Sequence, residues 1–150
     1  MRRSLLVVLL FLACDRSTSR EPVRVGAKSD EQSAAIAENV ARRLELAGCV
    51  VERRMRMGDA VSVGRALRDG AIDAYVESHG VALTQILRRK AQPGPAAEAE
   101  VRIAYVKENL VWAPPVGVGD YAVVFRKNVD DRCRNASRTF MATGSMLDAR

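Results

Sequence analysis

Between Val23 and Asn128 the spacing of apolar positions changes several times, and each change marks an element. Val23 and Val25 alternate with Arg24, the two-residue period of a short strand, and Gly26 begins a turn. Ile36, Val40 and Leu44 then recur every fourth residue beside Ala37 and Ala41, predicting a helix capped by Ser29 or Asp30 and stopped at Gly48. "CVVERRM", residues 49–55, reads as a second strand, with a turn at Gly58 and Asp59. Val63, Ala66 and Leu67 share one face of a second helix that ends at Gly70, and "IDAYV" reads as a third strand. From Gly80, the pattern Ala82, Leu83, Ile86, Leu87 predicts a third helix with Arg88, Arg89 and Lys90 in its last turn, where their charge suits the dipole. Three rounds of strand and helix predict an α/β fold with a parallel sheet flanked by helices.

"AQPGPAAEAE", residues 91–100, interrupts this order with two prolines and a glycine and is expected to be a loop. A short helix over 100–109, a strand "LVWA", a Pro114–Pro115 turn and a strand "YAVVFRK" follow. In that last strand Tyr121, Val123 and Phe125 line one side. Past Asn128 no apolar period persists, so residues 23–128 are expected to form the lobe and 129–150 a divergent or truncated tail.

The stretch "GAIDAYVESHG", residues 70–80, concentrates Asp73, Tyr75, Glu77, Ser78 and His79, the only histidine of the chain. In a parallel sheet, ligands lie beyond the carboxyl ends of strands, and this segment runs off the third strand into the third helix. Asp73 and Glu77 could pair as acid and base, with His79 as a proton acceptor. They are separated by extended residues, however, and Ser78 lacks a nucleophile elbow, so catalysis is not expected. One histidine with two loosely spaced carboxylates is a weak metal motif, and neither Cys49 nor Cys133 has a CxxC or a neighbouring histidine; no metal and no cofactor are expected. Asp73 reads equally as a turn residue and Tyr75 as core.

The amino terminus changes the picture of where the protein works. "MRRSLLVVLLFLAC" has a charged start and an apolar run from Leu5 to Ala13, an export signal too short to span a bilayer. Its ending resembles the lipobox of bacterial lipoproteins, which makes Cys14 the candidate lipidation site, residues 1–14 a signal peptide and 15–22 a polar tether. Asp15 resembles a signal for retention at the inner membrane, so the expected location is the periplasmic side of that membrane. Loss of Arg2 and Arg3 leaves 22 of the 24 Lys+Arg against 18 Asp+Glu, and the formal charge falls from +6 to +4. That modest excess is scattered among acids with few aromatics, so nucleic acid is not an expected partner. An exported compartment would permit Cys49 and Cys133 to pair, although Cys49 also reads as a small core residue.

The segments "VRVGAKSDEQSAAIAENVARRLELAG", "VERRMRMGDAVSVGRALRDGAIDAYVESHGVALTQIL" and "LVWAPPVGVGDYAVVFRK" together resemble the substrate-binding proteins of bacterial glycine betaine, choline and osmoprotectant ABC transporters. Gly26, Ala27 and Lys28 match the family's "GSK" turn, and Ser33 is what remains of the phrase that follows. Ala66, Leu67, Gly70, Ile72 and Asp73 match "ALxxGxID", residues 75–81 stand for "YPEYTGT", and Tyr121 and Ala122 keep the end of "NTYA". The resemblance implies a type II periplasmic-binding-protein-like lobe with a parallel or mixed sheet, its second lobe incomplete in this chain. It also implies solute binding without catalysis, and ABC permease and ATPase subunits as partners. Tyr121 would belong to an aromatic cage for a quaternary ammonium, and Lys28, Ser33, Tyr75, Glu77, Ser78 and His79 are the other candidate ligand residues. Ser78 stands where the family has an aromatic, His79 and Val81 where it has threonines, and Asp30 where it has a phenylalanine. The solute therefore stays open among quaternary amines and related polar or cationic molecules. The alternative is an incomplete paralogue that serves as a lipoprotein interaction module.

Overall fold

The computed structural model describes residues 21–115 and 119–137. The proposed signal, Cys14 and most of the tether lie outside them. In chain order the elements are β1 (Val23–Gly26), α1 (Glu31–Leu46), β2 (Val51–Arg54), α2 (Ala60–Arg68), β3 (Ala74–Ser78) and α3 (His79–Val81), which runs on as a π-helical turn (Ala82–Ile86). Then come α4 (Gly94–Lys107), β4 (Leu110–Pro115), β5 (Tyr121–Arg126) and α5 (Asp131–Ala136). One five-stranded sheet results, in the order β2-β1-β3-β5-β4.

The strands β2, β1 and β3 are parallel, as the alternation predicts, but β5 runs antiparallel between β3 and β4, so the sheet is mixed. A short connection can only return the chain antiparallel to β4, and the chain then slots in beside β3. β4 is an edge strand and continues to Pro115 with a register shift after Trp112, so the expected Pro-Pro turn is strand instead. Proline is tolerated there because an edge strand needs no N–H on its open side.

Two further expectations are corrected. The loop expected over 91–100 is helix from Gly94, because a proline in the first turn removes only an N–H that had no helical partner, and the alanines favour helix. The third helix does not carry Arg88–Lys90 in its last turn. Leu87 N–H bonds the Ala82 carbonyl and Arg89 N–H the Leu83 carbonyl, with Arg88 at φ 56°, which ends the helix before the basic run. Arg89 then pairs with Glu100 of α4.

The helices start where the chain offers caps. Asp30 accepts from Ser33 N at 2.8 Å at the head of α1, and Asp59 accepts from Ser62 N at 2.8 Å at the head of α2. The apolar stripe of α1, Ile36, Ala37, Val40, Ala41 and Leu44, packs with Val23, Val25, Val76, Val123 and Phe125 on one face of the sheet. On the other face Val63 and Leu67 of α2 and Val101 and Tyr105 of α4 meet Tyr75, Trp112 and Val124. The helices α1 and α2 thus lie on opposite faces, and the crossover changes side between β1 and β3. Residues 129–137, expected to open a divergent tail, include α5, and Cys133 of this helix forms a disulfide with Cys49, Cα–Cα 6.1 Å.

Gly26 ends β1 where no side chain fits: a Cβ there would sit 2.5 Å from Ile72 Cδ1 and 3.1 Å from Met57 Sδ. Gly26→Ala is expected to cost about 1–3 kcal/mol in a denaturant titration, because Ile72 is itself fully buried and must move.

Candidate functional site

The change of crossover side between β1 and β3 opens a crevice at their carboxyl ends, the place where open α/β sheets take ligands. Lys28 leaves the end of β1 and reaches the end of β3, where its Nζ lies 2.7 Å from Glu77 Oε1. Glu77 has no exposed surface, and the same Oε1 accepts from Ser78 N at 2.9 Å while Oε2 has no partner among the described residues. Burial raises the Glu77 carboxyl above its ordinary value, outweighing the lowering by Lys28 and by the Ser78 N–H.

Antiparallel pairing with β5 sets Tyr121 directly opposite Ser78, so the tyrosine stands at the same edge. Lys28 Nζ lies 5.7 Å from the centre of the Tyr121 ring, within cation–π range. The Ser78 hydroxyl accepts from Val81 N at 3.3 Å and so caps the short α3. His79 N–H donates to the Asp120 carbonyl at 3.3 Å, and its Nε2 is 3.7 Å from the Asp120 carboxylate, which ties the start of α3 to the turn before β5.

Five of the seven residues named from the sequence therefore converge: Lys28, Glu77, Ser78, His79 and Tyr121. Ser33 lies in the first turn of α1 with its hydroxyl buried and unpartnered among the described residues. Tyr75 goes elsewhere. Its side chain is buried on the α2/α4 face, hydroxyl 3.4 Å from that of Tyr105, and burial pushes both phenols up, Tyr105 to about 12. Asp73 is at the opposite edge, where it accepts from Arg24 N, Nε and a terminal nitrogen at 3.0, 2.7 and 2.8 Å, with Arg126 3.7 Å away. That network braces the amino ends of β1 and β3, a structural role. A second opening lies there, between Arg24, Asp73, Arg126 and the disulfide, and in it both arginines pair with Asp73.

In the sequence Asp59 reads only as a turn residue. With Lys28, Ser29, Asp30, Gly58, Val81 and Gln85 it lines a concave opening beside the convergent residues, at the heads of α1 and α2. Ser29 and Gly58 hold the walls together through Ser29 N to the Gly58 carbonyl, 2.9 Å, and Gly58 N to Ser29 Oγ, 3.0 Å. No described helix is long and apolar enough to cross a membrane.

The same arrangement of elements occurs in solved structures. Apo YehZ from Escherichia coli superposes with a TM-score of 0.58 at 22% identity, covering 63% of this chain and 35% of that one. A structure titled glycine betaine/carnitine/choline ABC transporter gives a TM-score of 0.58 at 18% identity, covering 64% of this chain and 37% of that one. This chain thus spans little more than a third of the length of either, and the likeness confirms the periplasmic-binding-protein-like lobe. No curated protein sequence matches it significantly. The sequence profile of the substrate-binding domain of ABC-type glycine betaine transport systems matches residues 21–137, which include β1 through α5. The chain belongs to that family.

Proposed function

We propose that this protein is the solute-binding component of an ABC uptake transporter for a quaternary amine, working with permease and ATPase subunits on the periplasmic side of the inner membrane and held there by lipid on Cys14. The family is one of binding domains and not an enzyme class. The observation that carries the reading is the convergence of Lys28, Glu77, Ser78 and Tyr121 on the carboxyl edge of the sheet. Tyr121 offers a π face to a trimethylammonium group, which has no proton to donate and so needs a quadrupole in place of an acceptor. Glu77 is held by Lys28, and His79 lies 3.7 Å from the Asp120 carboxylate, an arrangement that positions a wall; the Ser78 hydroxyl between them caps α3, and among the described residues no hydrogen bond joins it to either side chain.

Calorimetric titration of the purified chain with choline, glycine betaine and carnitine tests this. The expected result is saturable binding of at least one of them, weakened about tenfold or more by Tyr121→Ala, the worth of one desolvated cation–π contact. Heat of binding for none of the three would overturn the reading.

A further inference from the structure

The helix α4 is apolar on both sides. Ala97, Val101, Ala104 and Tyr105 are buried against the sheet, while Ile103 and Val106 on the outer side are 61% and 68% exposed. Every fully exposed position of this helix is apolar or basic: Pro95, Ala96 and Ala99, then Arg102, Ile103, Val106 and Lys107. Its acids are each engaged by an arginine. Glu98 lies 3.8 Å from Arg102, Glu100 2.5 Å from Arg89, and the C-cap Glu108 2.5 Å from Arg68. Lys107 has no ion pair among the described residues, and neither do Arg88 and Lys90, exposed in the loop that Arg89 ties to α4. The unpaired charges of α4 and this loop are thus all positive.

The strands β3 and β4 run parallel, since both pair antiparallel with β5, and α4 ends three residues before β4 begins. Ile103, Val106 and Lys107 therefore lie toward the amino edge of the sheet, the edge at which the chain enters β1 from residues 15–22, and away from the proposed solute site. Two large aliphatic side chains fall far short of the about 800 Å² a side that a stable protein interface buries, which argues against a second copy or another protein as the occupant. They suit a bilayer surface. There a helix lies in the headgroup region with aliphatic side chains inserted and Lys and Arg at its flanks, and anionic lipid complements a face of one charge sign without any match of shape. With 14 residues, α4 has the length to lie on a bilayer and not to span one.

We propose that the outer face of α4 docks on an anionic lipid bilayer, with Ile103 and Val106 entering the headgroup region and Arg88, Lys90, Arg102 and Lys107 answering its charge. This rests on the reading above that lipid on Cys14 holds the chain at a membrane, and goes beyond it. A tether keeps the lobe at high local concentration, so a face of weak intrinsic affinity is occupied, and the carboxyl edge is left open to solute. The isotope-labelled full chain, reconstituted into bicelles of phosphatidylcholine and phosphatidylglycerol that carry a headgroup spin label, tests it. Amides of residues 99–107 are expected to broaden strongly while those of α1, on the other face of the sheet, do not. That broadening should fall about fivefold or more in Ile103→Ser/Val106→Ser, which removes two inserted aliphatic side chains from exposed positions and leaves the urea midpoint of the parent. It should fall likewise in bicelles of phosphatidylcholine alone, and at high salt. Broadening confined to the residues that follow the tether, centred on another face, or unchanged by the double variant or by removal of the anionic lipid overturns the proposal and leaves anchoring standing. A chain that stays in solution beside the bicelles removes the anchoring reading, and this inference with it.

Discussion

Lys28→Met is expected to destabilise the lobe by about 3–5 kcal/mol at neutral pH, measured as the shift of a urea midpoint, because it strands the Glu77 carboxylate in a site with no exposed surface. The size follows from asymmetry. The intact pair adds little net stability, since two charges have been withdrawn from water, but half of it is worse than none. Lys28→Met/Glu77→Gln should therefore recover most of the loss, as the glutamine carbonyl can still accept from Ser78 N. The loss should also depend on pH with a definite sign. A carboxyl raised in the folded state binds its proton more tightly there than in the unfolded chain. Its effect is that stability falls as pH climbs from the ordinary value of 4.5 through the raised folded value. Without Lys28 the foremost lowering influence is gone, so the decline should extend to higher pH and the variant should regain stability in acid. A variant as stable as the parent at pH 7 would show that Glu77 is not held ionised by Lys28.

The second large effect is expected at the disulfide. Cys49 and Cys133 are 84 residues apart, and opening a loop of that length releases about 4–5 kcal/mol of chain entropy to the unfolded state, of which 2–4 kcal/mol is the usual measured yield. Reduction by a dithiol, or Cys133→Ser, should lower the urea midpoint accordingly. The helix α5 has six residues, too few to persist on its own, and besides the disulfide it is anchored by packing around Val129 and Cys133 against α1 and its surroundings. Backbone amides of 131–136 should accordingly exchange faster on reduction, while those of β1 and β3 stay protected as long as the sheet remains folded. Equal midpoints with and without reductant would mean that the crosslink does not constrain the unfolded chain.

The sequence carried the first half of the fold well because its signals there are local. The fourfold spacing of Ile36, Val40 and Leu44 and the alternation about Arg24 depend only on which face is buried, and those elements stand where the periods put them. What escaped depended on remote partners. Nothing in "YAVVFRK" states that it pairs antiparallel with a strand over forty residues earlier, and nothing in "QPGPAA" separates a proline that breaks a helix from one that begins it. The extent of the third helix is not legible in the sequence, because a left-handed Arg88 leaves no mark on an apolar pattern.

The site was legible to a similar degree. The residue types in "YVESHG" pointed to the edge of the sheet, and the family resemblance added Lys28 and Tyr121. Alternation along β3, however, sends Tyr75 into the core, and only the structure reveals that Lys28 and Glu77, 49 residues apart, are partners. Asp59 was invisible as a site residue because a helix cap and a cleft wall look the same in sequence.

On the proposed reading, solute binds at the carboxyl edge of β1 and β3. Amide chemical shifts of the isotope-labelled full chain, recorded while choline is added, test it most directly. Saturable shifts are expected for Lys28, Asp30, Asp59, residues 78–81 and Tyr121, with Arg24, Asp73 and Arg132 at the opposite edge unmoved. Shifts centred on that opposite edge, or none at saturating choline and betaine, would contradict it.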